Sequence, residues 1–305
     1  MTPTHLNSIP DPATAARTDA TETRNPREQL LAGLPVTEER LSLAGIPTVV
    51  LRGGHGVPLV LLHGPGEYAL KWFRILPDLT ADFSVVAPDL PGHGASDAPD
   101  EPFQADRILA WLDELIDRTC ASAPVVVGQI IGGAIAARHA AARGDRLRRL
   151  VLVDALGLGP FQPAPEFGAA LGAFVAEPTP ENHDRLWQRC AYDLDTLRRR
   201  MGRNWDHLRS YNLDRARAPR CRRTLEAMML QFGFPAIAPE ELARIKVPVD
   251  LIWGRHDLAT PLRVAEAESA RHGWRLHVIE AAADDPPLEQ PEAFVRILRA
   301  LCTAK

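Results

Sequence analysis

The sequence predicts an α/β fold with a mostly parallel, eight-stranded sheet that is flanked by helices and interrupted by a helical insertion. Short apolar runs alternate with amphipathic helical stretches along most of the chain, which is typical of a parallel sheet covered on both faces. That alternation stops near Gly159 and resumes near Val247. With 305 residues, 46% of them apolar, the chain is long enough to bury one large core.

Eight short apolar runs predict the strands, since runs of this length are typical of buried strands. In chain order they are Leu41–Leu43, Thr48–Leu51, Leu59–Leu62, Ser84–Ala87, Val125–Gly128, Leu150–Val153, Val249–Trp253 and Leu276–Ile279. Two further sets of apolar residues recur at helical spacing, and each predicts the buried stripe of a surface helix. These sets are Ile108, Leu112, Leu115 and Ile116, and Phe294, Ile297, Leu298 and Leu301.

We expect a disordered tail over residues 1–30, a core formed by residues 31–158 and 247–305, and a helical cap over residues 159–246. The tail is rich in Thr, Pro, Ala and charged residues, so it cannot bury enough surface to order itself. It has no apolar stretch, and it is therefore not expected to be a secretory signal. An arm that packs on a neighbouring subunit is the alternative, which leaves a homodimer open.

The composition argues against several classes of partner. A net charge of −4 gives no reason to expect nucleic acid or an anionic membrane surface. The chain has no run of 18 apolar residues, so the sequence does not predict a membrane span. The four cysteines are scattered without a CxxC pair, which suits a reduced, cytoplasmic protein without a zinc site. We expect no metal and no cofactor.

Five segments point to one family. The segment VVVGQIIGGAIAARHAA (Val125–Ala141) predicts a strand, a sharp turn and a helix. The other four are LVLLHGPGE (59–67), VVAPDLPGHGAS (85–96), LIWGRHDLATP (251–261) and HVIEAAADDPPLEQPEAF (277–294). Together they resemble the α/β-hydrolase family, whose nucleophile elbow G-x-S-x-G places an attacking serine at the turn. The resemblance covers roughly residues 41–301 and implies that fold, with a cap inserted after the sixth strand over the ligand site.

Two of the three catalytic positions depart from the family pattern. The elbow places Ile130 where the family has its serine, and the last segment places Asp284 where the family has its histidine. An aliphatic side chain cannot attack a carbonyl, and no imidazole is present to carry the proton. Hydrolysis through an acyl-enzyme is therefore excluded, as is the aspartate nucleophile of epoxide hydrolases and haloalkane dehalogenases.

The resemblance also implies an altered oxyanion hole. The family takes one N–H from the residue after the nucleophile, here Ile131, and one from the His-Gly loop. In this chain Gly64 is followed by Pro65, which has no N–H, so Gly66 or Glu67 is left to donate. We expect the site to be either shifted or halved.

The new carboxyl at position 284 suggests acid and base chemistry. The resemblance implies that Asp257 is the triad acid, so Asp257 and Asp284 should lie close together. Two buried carboxylates cannot both ionise cheaply, and such a pair can act as general acid and base. The alternative is that Asp284 pairs with an arginine such as Arg255 or faces solvent. Gln129 is a candidate to orient a substrate carbonyl.

The pocket is expected to suit an apolar ligand. Ile130 would form its floor, although a β-branched residue tolerates the positive φ of the elbow poorly. Ile131 and the loop from Gly64 to Glu67 would line it, with Glu67 as a second candidate base. From the cap, Trp205 and Tyr192 are candidate walls.

These expectations leave three functions open. The first is a cofactor-free, non-hydrolytic lyase, isomerase or cyclase that acts on an apolar, carbonyl-bearing small molecule, with natural-product biosynthesis as the setting suggested by analogy. The second is a small-molecule binding protein without turnover. The third is an atypical hydrolase in which a carboxylate activates water.

Overall fold

The computed structural model describes residues 25–99 and 103–303, which form one eight-stranded sheet with helices on both faces. The strands follow the order β1-β2-β4-β3-β5-β6-β7-β8. β2 pairs antiparallel with β1 and β4, and the remaining neighbours pair in parallel. The strands are β1 (Thr37–Leu43), β2 (Ile46–Gly53), β3 (Val57–Leu62), β4 (Phe83–Pro88), β5 (Val125–Gln129), β6 (Arg149–Val153), β7 (Val249–Gly254) and β8 (Arg275–Ile279). All eight predicted strands are confirmed.

Both faces of the sheet are buried, which explains why its central strands are continuous apolar runs. In β3, Leu59 and Leu61 pack in one apolar cluster, whereas Val60 and Leu62 pack in another on the opposite face. Because successive side chains of a strand point to opposite faces, every position of such a strand must be apolar.

Thirteen α-helices and three other helical turns accompany the strands within the described residues. The α-helices are α1 (Pro26–Leu31), α2 (Leu76–Thr80), α3 (Ala105–Thr119), α4 (Ile131–Arg143), α5 (Pro165–Ala176), α6 (Pro180–Cys190), α7 (Leu194–Met201), α8 (Arg203–Arg217), α9 (Pro219–Met228), α10 (Pro239–Leu242), α11 (Arg263–His272), α12 (Pro286–Glu289) and α13 (Pro291–Thr303). The turns are the 3₁₀ segments Ala69–Arg74 and Gly144–Arg146 and the π-helical segment Met229–Gly233. The two helices predicted from apolar spacing are α3 and α13.

The connection from β6 to β7 contains only helical elements, α5 to α10 with the π-helical segment, and these helices form the insertion that we call the cap. The domain boundaries at residues 158 and 247 remain our proposal. No helix among residues 25–99 and 103–303 combines the length and apolar composition that crossing a bilayer requires.

Part of the predicted tail is ordered. Residues 1–24 lie outside the described part of the chain, but Pro26–Leu31 forms helix α1, so the predicted boundary at residue 30 is wrong. Asn25 caps the helix through its side chain, and Leu30 is buried. The Arg27 guanidinium lies 3.0 Å from the carboxylate of Asp89, which is fully buried. A buried leucine and an ion pair with the core hold this segment in place.

Candidate active site

The elbow turn keeps its strained backbone although its central residue has changed. Ile130 lies between β5 and α4 with φ 48° and ψ −107°, a conformation that costs a β-branched residue about 1–3 kcal/mol. Its N–H donates to Val153 O at 2.9 Å, and its carbonyl accepts from Leu156 N at 3.0 Å. The surrounding fold therefore enforces the turn.

Two glycines make this tight turn possible. A Cβ at Gly128 would lie 2.4 Å from Gly132 O, and a Cβ at Gly132 would lie 2.4 Å from Leu62 O. Because these neighbours are backbone atoms, neither position has room for a side chain. The glycines of the elbow motif are thus required by packing, whether or not the turn carries a nucleophile.

The loop that would supply the oxyanion hole is occupied by its own side chain. The Gly64 N–H donates to Glu67 Oε2 at 2.9 Å, and the Glu67 N–H donates back to Gly64 O at 3.3 Å. Ile130 Cδ1 lies 3.3 Å from the position that a Cβ on Gly64 would take. The expectation that Glu67 donates an oxyanion hydrogen bond is wrong, because its N–H is already used.

A buried lysine, which the sequence reasoning missed, lies beside this loop. Lys71 Nζ is 2.8 Å from Glu67 Oε1 and 2.5 Å from Asp285 Oδ2, and the lysine side chain is only 3% exposed. The ammonium also lies 4.5 Å from the centre of the Trp187 ring in α6. Opposite charges on two sides raise the pKa of Lys71 although burial lowers it, so the amine is cationic.

Gln129 extends this network to the loop of Asp284. Its Nε2 donates to Asp284 O at 3.1 Å and to Asp285 Oδ1 at 3.3 Å, and the side chain is buried. We call Glu67, Lys71, Asp285 and Gln129 the Lys71 bridge. Because both N–H bonds of the amide are used within the protein, the prediction that Gln129 orients a substrate carbonyl with this group is wrong. The residue instead positions the Asp284 loop.

Two signals could have revealed the Lys71 bridge. The chain has only 3 lysines against 32 arginines, and Lys71 is the one that lies in an apolar run, YALKWF. A lysine in such a run is either a helix-face residue or a buried, paired charge. Glu67 four residues earlier offered the partner. Asp285 gave no such signal.

Asp257 lies where the family resemblance places the acid, at the carboxyl end of β7. Its Oδ1 accepts from Ala259 N at 2.7 Å and from Thr260 N at 2.9 Å, and its Oδ2 accepts from the Thr260 hydroxyl. Burial raises the pKa of Asp257 to about 6, while these hydrogen bonds lower it. The group is therefore largely ionised at neutral pH.

Asp284 is buried among other acids. The residue is 7% exposed, and burial raises its pKa well above the usual value, with a further increase from the charge of Asp257. The charge of Asp257 acts on Asp284, as the predicted proximity of the two carboxyls requires, and with burial it favours the protonated form of Asp284. The alternative pairing with Arg255 is wrong, because Arg255 binds Glu280 with Nη2 2.7 Å from Oε1. The alternative that Asp284 faces solvent is also wrong, because the residue is buried.

Asp154 is a third carboxyl that the sequence reasoning missed. It follows β6, is fully buried, and accepts from Gly254 N at 2.9 Å. Burial, and then the charge of Asp257, raise the pKa of Asp154 well above the usual value. We call Asp154, Asp257 and Asp284 the carboxyl cluster.

Cys190 is the thiol that touches this cluster, and it is no substitute for the missing nucleophile. It ends α6, and its carbonyl accepts from Asp284 N at 3.3 Å. Burial, and then the charge of Asp284, raise the pKa of the Cys190 thiol well above its usual value. A thiol that stays protonated is a poor nucleophile.

Glu289 ties the cap to the Asp284 loop. Its Oε2 accepts from Tyr192 N at 2.6 Å and its Oε1 from Ala283 N at 2.7 Å, and burial raises its pKa to about 8. The ring of Tyr192 is directed elsewhere, since it is 53% exposed and stacks on His256 at 4.5 Å. This orientation contradicts its predicted role as a pocket wall.

Trp205 packs inside the cap. It is 5% exposed, and its ring lies 5.1 Å from that of Trp187 and 4.9 Å from the Arg198 guanidinium. Its predicted contact with a ligand stays a prediction.

The other predicted lining residues lie at the elbow and in the loop after β3. Ile131 is the first residue of α4 and is fully buried. Pro65 and Gly66 lie in the loop before Glu67, with Leu225 of α9 within 3.5 Å of a Cβ built on Gly66.

Gly254 allows the carboxyl cluster to assemble, and its replacement should disrupt it. A Cβ at this position would lie 1.8 Å from Ala283 O and 2.7 Å from Ala283 C, next to Asp284. We expect Gly254→Ala to lower the free energy of unfolding by about 3 kcal/mol or more, because backbone must move. Urea unfolding measures this loss.

The matched control is Gly172→Ala in α5, where no atom lies within 4 Å of the added Cβ, and it should raise stability by about 0.5–1 kcal/mol. Equal effects of the two changes would contradict the packing.

Comparison with known proteins agrees with this architecture. The chain is 32% identical over 258 residues to the pimeloyl-[acyl-carrier protein] methyl ester esterase of Neisseria meningitidis serogroup B (strain H44/76), covering 78% of this chain and 90% of the relative. It is 26% identical over 263 residues to an uncharacterised protein of Mycobacterium bovis, covering 80% and 75%.

A solved structure has the same fold. The 2-hydroxy-6-oxo-6-phenylhexa-2,4-dienoate hydrolase from Rhodococcus sp. strain RHA1 superimposes with a TM-score of 0.77 at 26% identity, covering 89% of this chain and 100% of the other. The family model described as "alpha/beta hydrolase fold" matches residues 57–289. The eight-stranded sheet, the elbow between β5 and α4 and these matches agree, and the chain belongs to the α/β hydrolase fold family.

Proposed function

We propose that this protein is a cytoplasmic, cofactor-free enzyme that catalyses proton transfer on an apolar, carbonyl-bearing small molecule without forming an acyl-enzyme. The outcome would be an isomerisation, a cyclisation or the removal of a group. The carboxyl cluster carries the chemistry in place of the serine and the histidine.

The proposal is supported most strongly by the unequal tendency of two buried carboxyls to hold a proton. Burial and the charge of Asp257 raise the pKa of Asp284 well above its usual value, whereas the pKa of Asp257 is about 6. Such a pair presents an acid and a base together at one pH. In the proposed step, Asp284 gives its proton to the carbonyl oxygen, and the Asp257 carboxylate accepts the proton that leaves the neighbouring carbon. The reverse transfers restore both groups.

The occupied oxyanion loop favours proton transfer over hydrolysis. A tetrahedral intermediate places negative charge where the loop N–H groups should stabilise it. Here Glu67 Oε2 already lies 2.9 Å from Gly64 N, and a second negative oxygen beside it would be repelled. An enol keeps its oxygen protonated by Asp284 and avoids that repulsion.

Hydrolysis by carboxylate-activated water is the second candidate. The names of the relatives favour it, because the neisserial protein is an esterase and the Rhodococcus protein a hydrolase. Water would be activated by Asp257 or Glu67 and would attack without a covalent intermediate.

Hydrogen exchange tests the proposal without knowledge of the natural substrate. We expect the protein to catalyse exchange of the protons next to the carbonyl of α-tetralone and benzoylacetone in deuterium oxide, as followed by NMR. Asp284→Asn should slow this exchange by about 100-fold or more, the usual contribution of a general acid. Asp206→Asn, at a side chain that is 68% exposed on the cap, is the matched control and should have no effect.

Other outcomes identify the competing functions. Release of nitrophenol from p-nitrophenyl butyrate, with ¹⁸O from labelled water in the acid, would establish the hydrolase. Saturable binding of the ketones without exchange would establish a binding protein. Exchange that survives Asp284→Asn would remove Asp284 from the reaction.

A further inference from the structure

A cavity lies between the start of the cap and helix α11. Its volume is about 340 Å³, at the lower end of the range for small-molecule sites. We call it the α11 cavity. Its walls are residues 155–162, which follow β6, and residues of the segment 259–268, which follows β7.

The α11 cavity approaches the carboxyl cluster from the side of β6 and β7. Leu156 lines it and donates its N–H to the carbonyl of Ile130, so one residue separates the cavity from the elbow. Thr260 also lines it, and the Thr260 hydroxyl contacts Asp154 O at 3.0 Å and the carboxylate of Asp257. A molecule in this cavity would be one side chain away from two members of the cluster.

The cavity wall is mainly apolar and contains one cation that the protein does not neutralise. Leu158, Phe161 and Val264 supply apolar surface. Glu268 is buried in the wall, but its oxygens lie 3.1 Å from His272 Nε2 and 3.5 Å from Arg271 Nη1.

Unlike Glu268, Arg263 has no charged partner in the described part of the chain. Across the described residues, no ion pair or side-chain hydrogen bond involves its guanidinium, and its side chain is exposed at the cavity. Every other charge in the wall has a partner, so Arg263 gives the α11 cavity a free positive group at its rim. An apolar chamber with a single cation selects a ligand that has an apolar body and one negative group.

We propose that the α11 cavity binds a small, apolar monoanion, with its ring or aliphatic body against Leu158, Phe161 and Val264 and its carboxylate or equivalent group against Arg263. This binding does not depend on the proposed reaction, since it requires none of the proton transfers.

Two fluorescent probes of similar size test the proposal. We expect 8-anilinonaphthalene-1-sulfonate, an apolar monoanion, to bind the full-length protein saturably. N-phenyl-1-naphthylamine is its neutral counterpart. Arg263→Gln should weaken binding of the anion about ten-fold and change binding of the neutral probe less than two-fold, because only the anion uses the charge.

A blocking substitution locates the site. Ala267 of α11 lines the cavity, so Ala267→Trp should fill it and weaken both probes by about ten-fold or more. Ala270→Trp, on the same helix at an exposed position outside the cavity wall, is the matched control and should leave both affinities unchanged. Equal unfolding midpoints for the two variants would show that a difference in binding is local.

Three results would overturn the proposal. They are an absence of saturable binding, equal binding to Ala267→Trp and the unsubstituted protein, and binding of the anion that is insensitive to Arg263→Gln. None of them bears on hydrogen exchange by Asp284, so failure here and failure of the proposed function are separable.

Discussion

Replacing Lys71 with methionine is expected to lower the free energy of unfolding by about 3–5 kcal/mol at pH 7, the usual cost of removing one partner from a buried ion pair. The ammonium lies between Glu67 and Asp285, whose side chains are only 18% and 5% exposed. Without the cation, two carboxylates would face each other across an apolar gap beside Trp187. Urea unfolding of purified protein measures the loss.

The chain offers its own control for this change. Lys246 is exposed at the surface, where its Nζ donates to a backbone carbonyl at 3.3 Å, and Lys246→Met should change stability by less than about 0.5 kcal/mol. Adding Asp285→Asn to Lys71→Met should recover part of the loss, because it removes one of the orphaned charges. A Lys71→Met protein as stable as Lys246→Met would show that the Lys71 bridge is not a structural element.

Two sets of buried groups are expected to make stability depend on pH in opposite directions, so that they oppose each other between about pH 4 and 6.5 and stability falls above about pH 6.5. On the acid side, burial lowers the pKa of His63 to about 3 and those of His93, His139 and His183 to about 4. As pH falls below 6.5, the unfolded chain takes up protons at these histidines and the folded protein does not. These histidines therefore favour unfolding as the pH falls.

Above about pH 6.5, buried acids determine how the free energy of unfolding changes with pH. Burial raises the pKa of Glu289 to about 8 and those of Asp284 and Asp154 well above the usual value. The unfolded chain loses these protons near pH 4, whereas each group in the folded protein holds its proton until the pH passes its raised pKa, so folding costs more over that range as pH rises. Each such group contributes a slope of about 1.4 kcal/mol per pH unit until its folded pKa is passed.

Asp284→Asn isolates one of these groups. The amide cannot ionise, so the free energy of unfolding between pH 6.5 and 8.5 should fall less steeply, and the variant should be more stable than the parent at pH 8. Urea titrations at pH 6.5, 7.5 and 8.5 give the slope, with exposed Asp206→Asn as the control. An unchanged slope would mean that Asp284 ionises in the folded protein as it does in the unfolded chain.

The strands and the elbow could be predicted from sequence because each is governed by a local pattern. Buried parallel strands must be apolar throughout, and the glycines at 128 and 132 are fixed by backbone crowding. The proximity of Asp257 and Asp284 followed from the family's geometry. The helix at Pro26–Leu31 was missed because its stabilising contacts are with distant residues, which composition does not reveal.

The Lys71 bridge could not be predicted as a whole because its members are far apart in sequence. Asp285 lies 214 residues from Lys71, and Gln129 lies 156 residues from Asp285. Nothing in the neighbourhood of position 129 distinguishes an amide that faces a ligand from one that binds another loop. The burial of Asp154 could not be predicted either, since an aspartate after a strand is more often exposed.

The position of α1 has a consequence for how the protein is divided into parts. Arg27 supplies the cation beside Asp89, whose carboxylate also accepts from Ala69 N at 2.6 Å and Ala95 N at 2.8 Å. The family match begins only at residue 57. A fragment cut at that boundary would leave the buried Asp89 carboxylate without its cation, so the folded unit of this protein includes the segment from Pro26 onward, which the family match leaves out.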